Sequence, residues 1–201
     1  LPYFESKQFY MGYGWYRRHL RLSRKDVNRH VTLEFDGVFQ DAQVYVNGKL
    51  CGRHVGGYTG FSIDITKTVK EGDNLIAIRV NNNWRPDVAP RAGEHTFSGG
   101  IYRDVRLVIT DKTYIDWCGT CITTPTLEQT KGNSSTVHVT TKVVNSSNQP
   151  NRLSLVYTIL DEKGNTVTKS KCEKVLSPHQ VWNADQTTPA VKSPLLWSPD
   201  A

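Results

Sequence analysis

The chain has 201 residues, 37% hydrophobic and 22% charged, so it can bury a core, and neither disorder nor a fibrous repeat fits. Its net charge of +6 comes from 25 basic and 19 acidic residues spread without a block of one sign, which argues against nucleic acid as a partner. No apolar run approaches the roughly 20 residues that span a bilayer, so no membrane partner is expected.

Leu1-Pro2-Tyr3-Phe4-Glu5 shows neither a basic n-region nor an apolar h-region, and no signal peptide is read there. The chain opens on an aromatic strand and reads as a piece of a longer polypeptide. The basic stretch from Arg17-Arg18 through Arg21, Arg24 and Lys25 is expected to be the wet face of a strand and a turn. Val31, Leu33 and Phe35 then alternate with Thr32, Glu34 and Asp36, the period of a half-buried strand. Val44-Tyr45-Val46-Asn47-Gly48-Lys49-Leu50 predicts a hairpin, because a two-residue type I′ turn needs positive φ twice and Asn-Gly supplies it. Phe61, Ile63 and Ile65 give another strand, and Val105, Leu107 and Ile109 a further one. Glu71-Gly72-Asp73-Asn74 reads as a turn, and no stretch of 12 or more residues has helical spacing with caps. The expected class is all-β, with these alternating residues, Val105 and Leu107 included, facing an interior.

Between Val80 and Asp104 the pattern changes. Val80-Asn81-Asn82-Asn83-Trp84-Arg85-Pro86-Asp87 leaves a strand and enters a loop of roughly 20 residues that returns through Ser98-Gly99-Gly100-Ile101-Tyr102-Arg103-Asp104. Loops that long in a compact domain are usually functional. Amide side chains both donate and accept, as vicinal sugar hydroxyls do, and an aromatic ring packs on the apolar face of a pyranose. The competing reading is that the asparagines cap the strand and Trp84 plugs the sandwich; the residues alone leave both open.

Arginine is frequent up to residue 111, and Arg152 is the only one beyond it, which points to a boundary within residues 109–125. The predicted domains are residues 1–111 and 112–201. In the second, strands are expected at residues 136–144, 153–160 and 181–187, separated by turns such as Glu162-Lys163-Gly164-Asn165, the rhythm of an immunoglobulin-like β-sandwich. About 80 residues is short for a complete one, so its last strand is expected to be missing. Trp117-Cys118-Gly119-Thr120-Cys121 invites a redox reading, but Ile122-Thr123-Thr124-Pro125 cannot open the helix that chemistry needs. Zinc would need a second ligand pair, so neither metal nor cofactor is expected. Asn133-Ser134-Ser135 and Asn145-Ser146-Ser147 match the glycosylation sequon, a pattern that Ser/Asn-rich turns also produce by chance.

Five ordered motifs carry a resemblance. Gly14-Trp15-Tyr16-Arg17-Arg18, Phe35-Asp36-Gly37-Val38 with Ala42-Gln43-Val44-Tyr45-Val46-Asn47-Gly48-Lys49, Gly56-Gly57-Tyr58-Thr59-Gly60-Phe61, Ile63-Asp64-Ile65-Thr66 and Gly99-Gly100-Ile101-Tyr102-Arg103-Asp104-Val105 resemble the sugar-binding domain of glycoside hydrolase family 2, the β-galactosidase and β-glucuronidase group. Thr123-Thr124-Pro125 and Leu196-Trp197-Ser198-Pro199 are similar to the immunoglobulin-like domain that follows it. The resemblance implies a galactose-binding-like jelly roll, a sandwich, and then a TIM barrel with two glutamates for retaining hydrolysis. It favours a periplasmic or secreted bacterial protein.

This chain is too short to hold a barrel of roughly 250 residues and lacks any Asn-Glu dipeptide, so no catalytic residue is assigned. It would shape the glycone side of the active site of a β-glycosidase acting in carbohydrate catabolism, with a β-glycoside and the barrel as partners. By the resemblance Asn82 is the best match for the glycone-binding position, with Asn81 and Asp87 as rivals and Trp84 beside them. Glycine stands where the family has a sugar-binding asparagine just before the turn Gly57-Tyr58-Thr59-Gly60, and Arg103 and Asp104 read as a structural pair. A loop amide packs little, so loss of the Asn82 side chain is expected to leave stability nearly unchanged. The alternatives are a stand-alone carbohydrate-binding module and a β-sandwich adhesion protein.

Overall fold

The computed structural model describes residues 10–88 and 99–197, so part of the predicted loop, residues 89–98, lies outside the described residues. The chain divides into two compact units, Leu1–Asp111 and Lys112–Ala201.

In the first unit the strands run β1 (Tyr13–Leu22), β2 (His30–Phe35), β3 (Val38–Phe39), β4 (Asp41–Val46), β5 (Lys49–Val55), β6 (Phe61–Asp64), β7 (Gly72–Asn81), β8 (Gly100–Ile101) and β9 (Val105–Thr110). Helix α1 (Arg24–Val27) is the only helix among the described residues, and it takes up Arg24 and Lys25 of the basic stretch. Ser23 caps it: its hydroxyl accepts from Asp26 N, and the Asp26 carboxylate accepts from Ser23 N. One antiparallel sheet has the order β1-β7-β4-β5 and a second the order β6-β2-β9, with a short β3-β8 ribbon beside them. The core comprises Val31, Leu33, Phe35, Val44, Val46, Phe61 and Ile65, joined by Val38, Ala42, Ile76, Ile78 and Val80. Phe35 and Phe61 stack at 4.5 Å, and full burial of such a ring contributes roughly 1.5–3 kcal/mol. Ile63 and Leu107 are half-buried against this core. Val105 departs from expectation at 39% exposed: it opens β9, an edge strand, opposite Phe35, and has a neighbouring strand on one side only. The predicted hairpin is present, with φ of 51° at Asn47 and 80° at Gly48, and the Asn47 amide also bridges Thr68 O and Leu75 N.

The second unit holds β10 (Thr113–Thr123), β11 (Ser134–Ser135), β12 (His138–Asn145), β13 (Asn151–Leu160), β14 (Thr166–Leu176), β15 (Val181–Thr187) and β16 (Val191–Lys192). Its sheets are β10-β12-β15, β13-β14 and β11-β16. Val139, Val143, Leu176 and Ala184 are buried there. Cys118 lies in a bulge between Ile115 and Thr120, at φ 49°, and all four cysteines are free thiols. A Cβ on Gly119 would meet Asp116 O at 2.6 Å, so the Cys-x-x-Cys spacing is filled by a bulge that needs glycine. The Asn145 side chain is wholly buried. Its amide nitrogen donates to Gln149 O, Leu176 O and Ser177 O, and its oxygen accepts from Ser147. Asn133, of the other sequon, is exposed.

Candidate functional site

Sheet register places several chain segments at one end of the first unit. Tyr13, Asn81, Asp41 and Val55 form one cross-strand row at the edge of the first sheet, and Phe61, Phe35 and Val105 form the corresponding row of the second. Beyond these rows lie Tyr10–Gly12, Asp36–Gln40, Gly56–Gly60, Asn82–Val88 and Gly99–Asp104. Backbone bonds stitch them together: Gln40 N donates to Asn81 O at 3.1 Å, Gly56 N to Gln40 O at 2.8 Å, and Asp36 N to Asp104 O at 3.0 Å.

The four predicted site residues all sit on this rim, in different circumstances. Asn82 Oδ1 accepts from Gly12 N at 2.8 Å and its Nδ2 donates to Tyr10 O at 2.9 Å, while Asn82 N donates to Gly12 O at 3.2 Å. The amide is therefore an anchor for the segment that leads into β1, contrary to the expectation that it packs little. One amide hydrogen and one oxygen lone pair remain. Asn81 Oδ1 accepts from Asn83 N at 3.0 Å, an Asx turn that starts the loop. Trp84 is 57% exposed. Asp87 is forked by Arg85 at 3.1 and 2.6 Å, and that hydrogen-bonded pairing holds its carboxyl below the usual carboxylate range. Arg85 also reaches Asp41 at 3.3 Å, and Arg53 forks Asp41 at 3.1 and 2.7 Å. The four charges brace the loop against the β4–β5 edge.

Two organising residues escaped the sequence reading. Gln40 is buried, and its Nε2 donates to Asn83 O, so one side chain joins the Asn81–Asn83 strand end to β4; nothing in Val38-Phe39-Gln40 advertises this. Tyr102 donates its hydroxyl to Gly57 O at 2.5 Å, and its ring lies where a Cβ on Gly37 would fall. Gly57 is required for a similar reason: a side chain there would enter the Phe39 ring. The expected Arg103–Asp104 pair is replaced. Arg106 forks Asp36 at 2.6 and 2.5 Å and depresses its pKa, chiefly through those hydrogen bonds, while Arg103 lies over the Tyr102 ring at 5.6 Å. No group of three or more His, Cys, Asp or Glu side chains among the described residues is arranged to hold a metal ion.

The arrangement is a rim of amides, aromatic rings and paired charges at one end of an all-β unit. Residues 5–111 match the family model described as glycosyl hydrolases family 2, sugar binding domain, and residues 113–201 match glycosyl hydrolases family 2. The chain belongs to glycosyl hydrolase family 2 and constitutes its N-terminal region. It is 31% identical over 193 residues to the beta-galactosidase BoGH2A of Bacteroides ovatus, covering 94% of this chain and 21% of that protein. A beta-glucuronidase of Formosa agariphila is 32% identical over 199 residues, covering 92% and 20%. The crystal structure of Bacteroides uniformis beta-glucuronidase superposes with a TM-score of 0.88 at 33% identity, covering 94% of this chain and 23% of that one. The chain thus spans about a fifth of the length of the curated relatives it matches.

Proposed function

We propose that the chain is the non-catalytic N-terminal part of a retaining β-glycosidase that hydrolyses O-glycosyl bonds in carbohydrate catabolism, and that its strand-end rim forms the glycone side of the active site. Both catalytic glutamates would come from a TIM barrel elsewhere in the same polypeptide. The observation that supports this reading is the gathering of Asn81, Asn82, Trp84 and Asp87 on one braced rim of a family 2 sugar-binding domain.

Each residue has a role in it. Asn82, oriented by Gly12 and Tyr10, offers its remaining hydrogen and lone pair to glycone hydroxyls, and Asn81 offers its Nδ2. Trp84 presents a ring to the sugar's apolar face. Asp87 keeps its charge through Arg85 and accepts from a hydroxyl.

The test is kcat/KM for Trp84→Ala, Asn81→Ala, Asn82→Ala and Asp87→Ala in the complete enzyme. Trp84→Ala is decisive, because its exposed ring contributes little to folding. A fall of about ten-fold corresponds to roughly 1.4 kcal/mol of lost transition-state binding. If all four variants match wild type, the rim is architecture and the site lies elsewhere.

A further inference from the structure

The outward face of the sheet β1-β7-β4-β5 differs from an ordinary solvated face. Alternation along β1 sends Trp15, Arg17 and Arg21 outward, since Leu20 packs on the core and the Tyr16 hydroxyl accepts from Ile101 N on the inner side. Cross-strand register sets Trp15 beside Arg79, and Arg17 in the same row as Tyr45. The Trp15 and Tyr45 rings lie 5.8 Å apart, tilted by 40°, and Arg79 covers the Tyr13 ring at 4.8 Å. Trp15 and Tyr13 are each 51% exposed. The sheet register puts two carboxylates on this face, Asp41 and Asp73, and both are engaged: Asp41 by Arg53 and Arg85, Asp73 by His19 at 2.7 Å. Arg17 and Arg79 pair with no carboxylate among the described residues, while Arg21 lies across from Asp73 in the register. A band of exposed rings edged by unneutralised guanidinium groups therefore runs along β1 and β7.

We propose that this face is a binding track for an anionic polysaccharide, one that carries carboxylate or sulfate groups on its pyranose rings. The rings of Trp15 and Tyr13 take the apolar faces of successive sugars, and the guanidinium forks hold the anionic groups bidentately. Charge complementarity selects an acidic chain over a neutral one, because a neutral glycan leaves Arg17 and Arg79 unmatched. The row Tyr13–Asn81–Asp41 is shared with the rim described above, so a polymer on this face leads toward that rim. The binding needs no hydrolysis. Its failure would leave the proposed glycone role untouched, and the reverse also holds.

The experiment is calorimetric titration of the 201-residue chain, near physiological salt, with polygalacturonate, dextran sulfate, neutral dextran and a single-stranded oligonucleotide as separate probes. Binding is expected to at least one of the two anionic polysaccharides, and the one that binds identifies carboxylate or sulfate as the recognised group. Trp15→Ala should weaken that binding about ten-fold, the equivalent of roughly 1.4 kcal/mol, while Trp15→Tyr retains most of it. The double variant Arg17→Ser/Arg79→Ser should abolish it, and Lys163→Ser, in the second unit, should leave it unchanged. Thermal melts of each variant separate lost binding from lost folding. The proposal is overturned by absence of binding to both anionic polysaccharides, by equal binding of neutral dextran or the oligonucleotide, or by indifference to Trp15→Ala in a folded variant, which would reduce the effect to bulk charge.

Discussion

Asn82 and Gly12 hold each other from both sides: Gly12 N donates to Asn82 Oδ1 at 2.8 Å, and Asn82 N donates to Gly12 O at 3.2 Å. The pair ties the end of β7 to the segment that enters β1, 70 residues earlier. Asn82→Ala removes this side-chain bond and the one to Tyr10 O. Each such bond contributes about 0.5–1.5 kcal/mol, so a loss of about 1–3 kcal/mol is expected in urea unfolding. A midpoint equal to wild type would show that the amide is idle in folding.

Gly57→Ala tests the close approach of Phe39. The added methyl would enter the ring, and overpacking of this kind costs about 1–3 kcal/mol. Introducing Phe39→Leu as well should restore part of the loss. Denaturation of both variants reads this directly, and failure of the second change to help would move the strain elsewhere.

Asp36 sits below its ordinary pKa, first because Arg106 hydrogen-bonds it and then because that guanidinium is charged. A depressed folded-state pKa contributes stability above the unfolded value, about pH 4, and loses it as pH falls through the folded value. The drop in Tm between about pH 7 and about pH 3 should therefore be smaller in Asp36→Asn than in wild type. An identical drop would count against the pairing.

His54 stacks on Phe61 at 4.1 Å, and burial lowers its pKa. The folded state resists the proton that the unfolded chain accepts below about pH 6.5, so stability is lost as pH falls through that region. His54→Phe should flatten the dependence of Tm between about pH 7 and about pH 5. A slope as steep as wild type would assign the effect to another group.

Asn145→Ala should be costly. It leaves Gln149 O, Leu176 O and Ser177 O without the donor they share in a buried site, and a loss of about 2–3 kcal/mol is expected in chemical denaturation. A change under about 0.5 kcal/mol would mean that water replaces the amide.

Strands whose inner face is apolar were legible in the sequence. Val31, Leu33 and Phe35 declare β2, and Asn47-Gly48 declares the β4–β5 hairpin through a backbone requirement that few residue pairs meet. β14 is not legible in the sequence because its pattern is reversed. Its inward positions are Thr168, Ser170, Cys172 and Lys174, while Val167 and Val175 face out. The rim was readable as a place, from the loop's length and its amides, but not as a geometry. No local signal tells that Asn82 reaches Gly12, or that Gln40 reaches Asn83, because both contacts depend on how distant strands align.

The burial of Asn145 also bears on how this polypeptide can be made. An oligosaccharide transferred to Asn145-Ser146-Ser147 during synthesis would occupy the amide that the folded second unit requires for Gln149, Leu176 and Ser177. Sugar attachment and native folding are mutually exclusive at that residue, whereas Asn133, being exposed, tolerates both. A eukaryotic secretory host would divide its output into modified chains arrested short of the native state and unmodified chains that reach it.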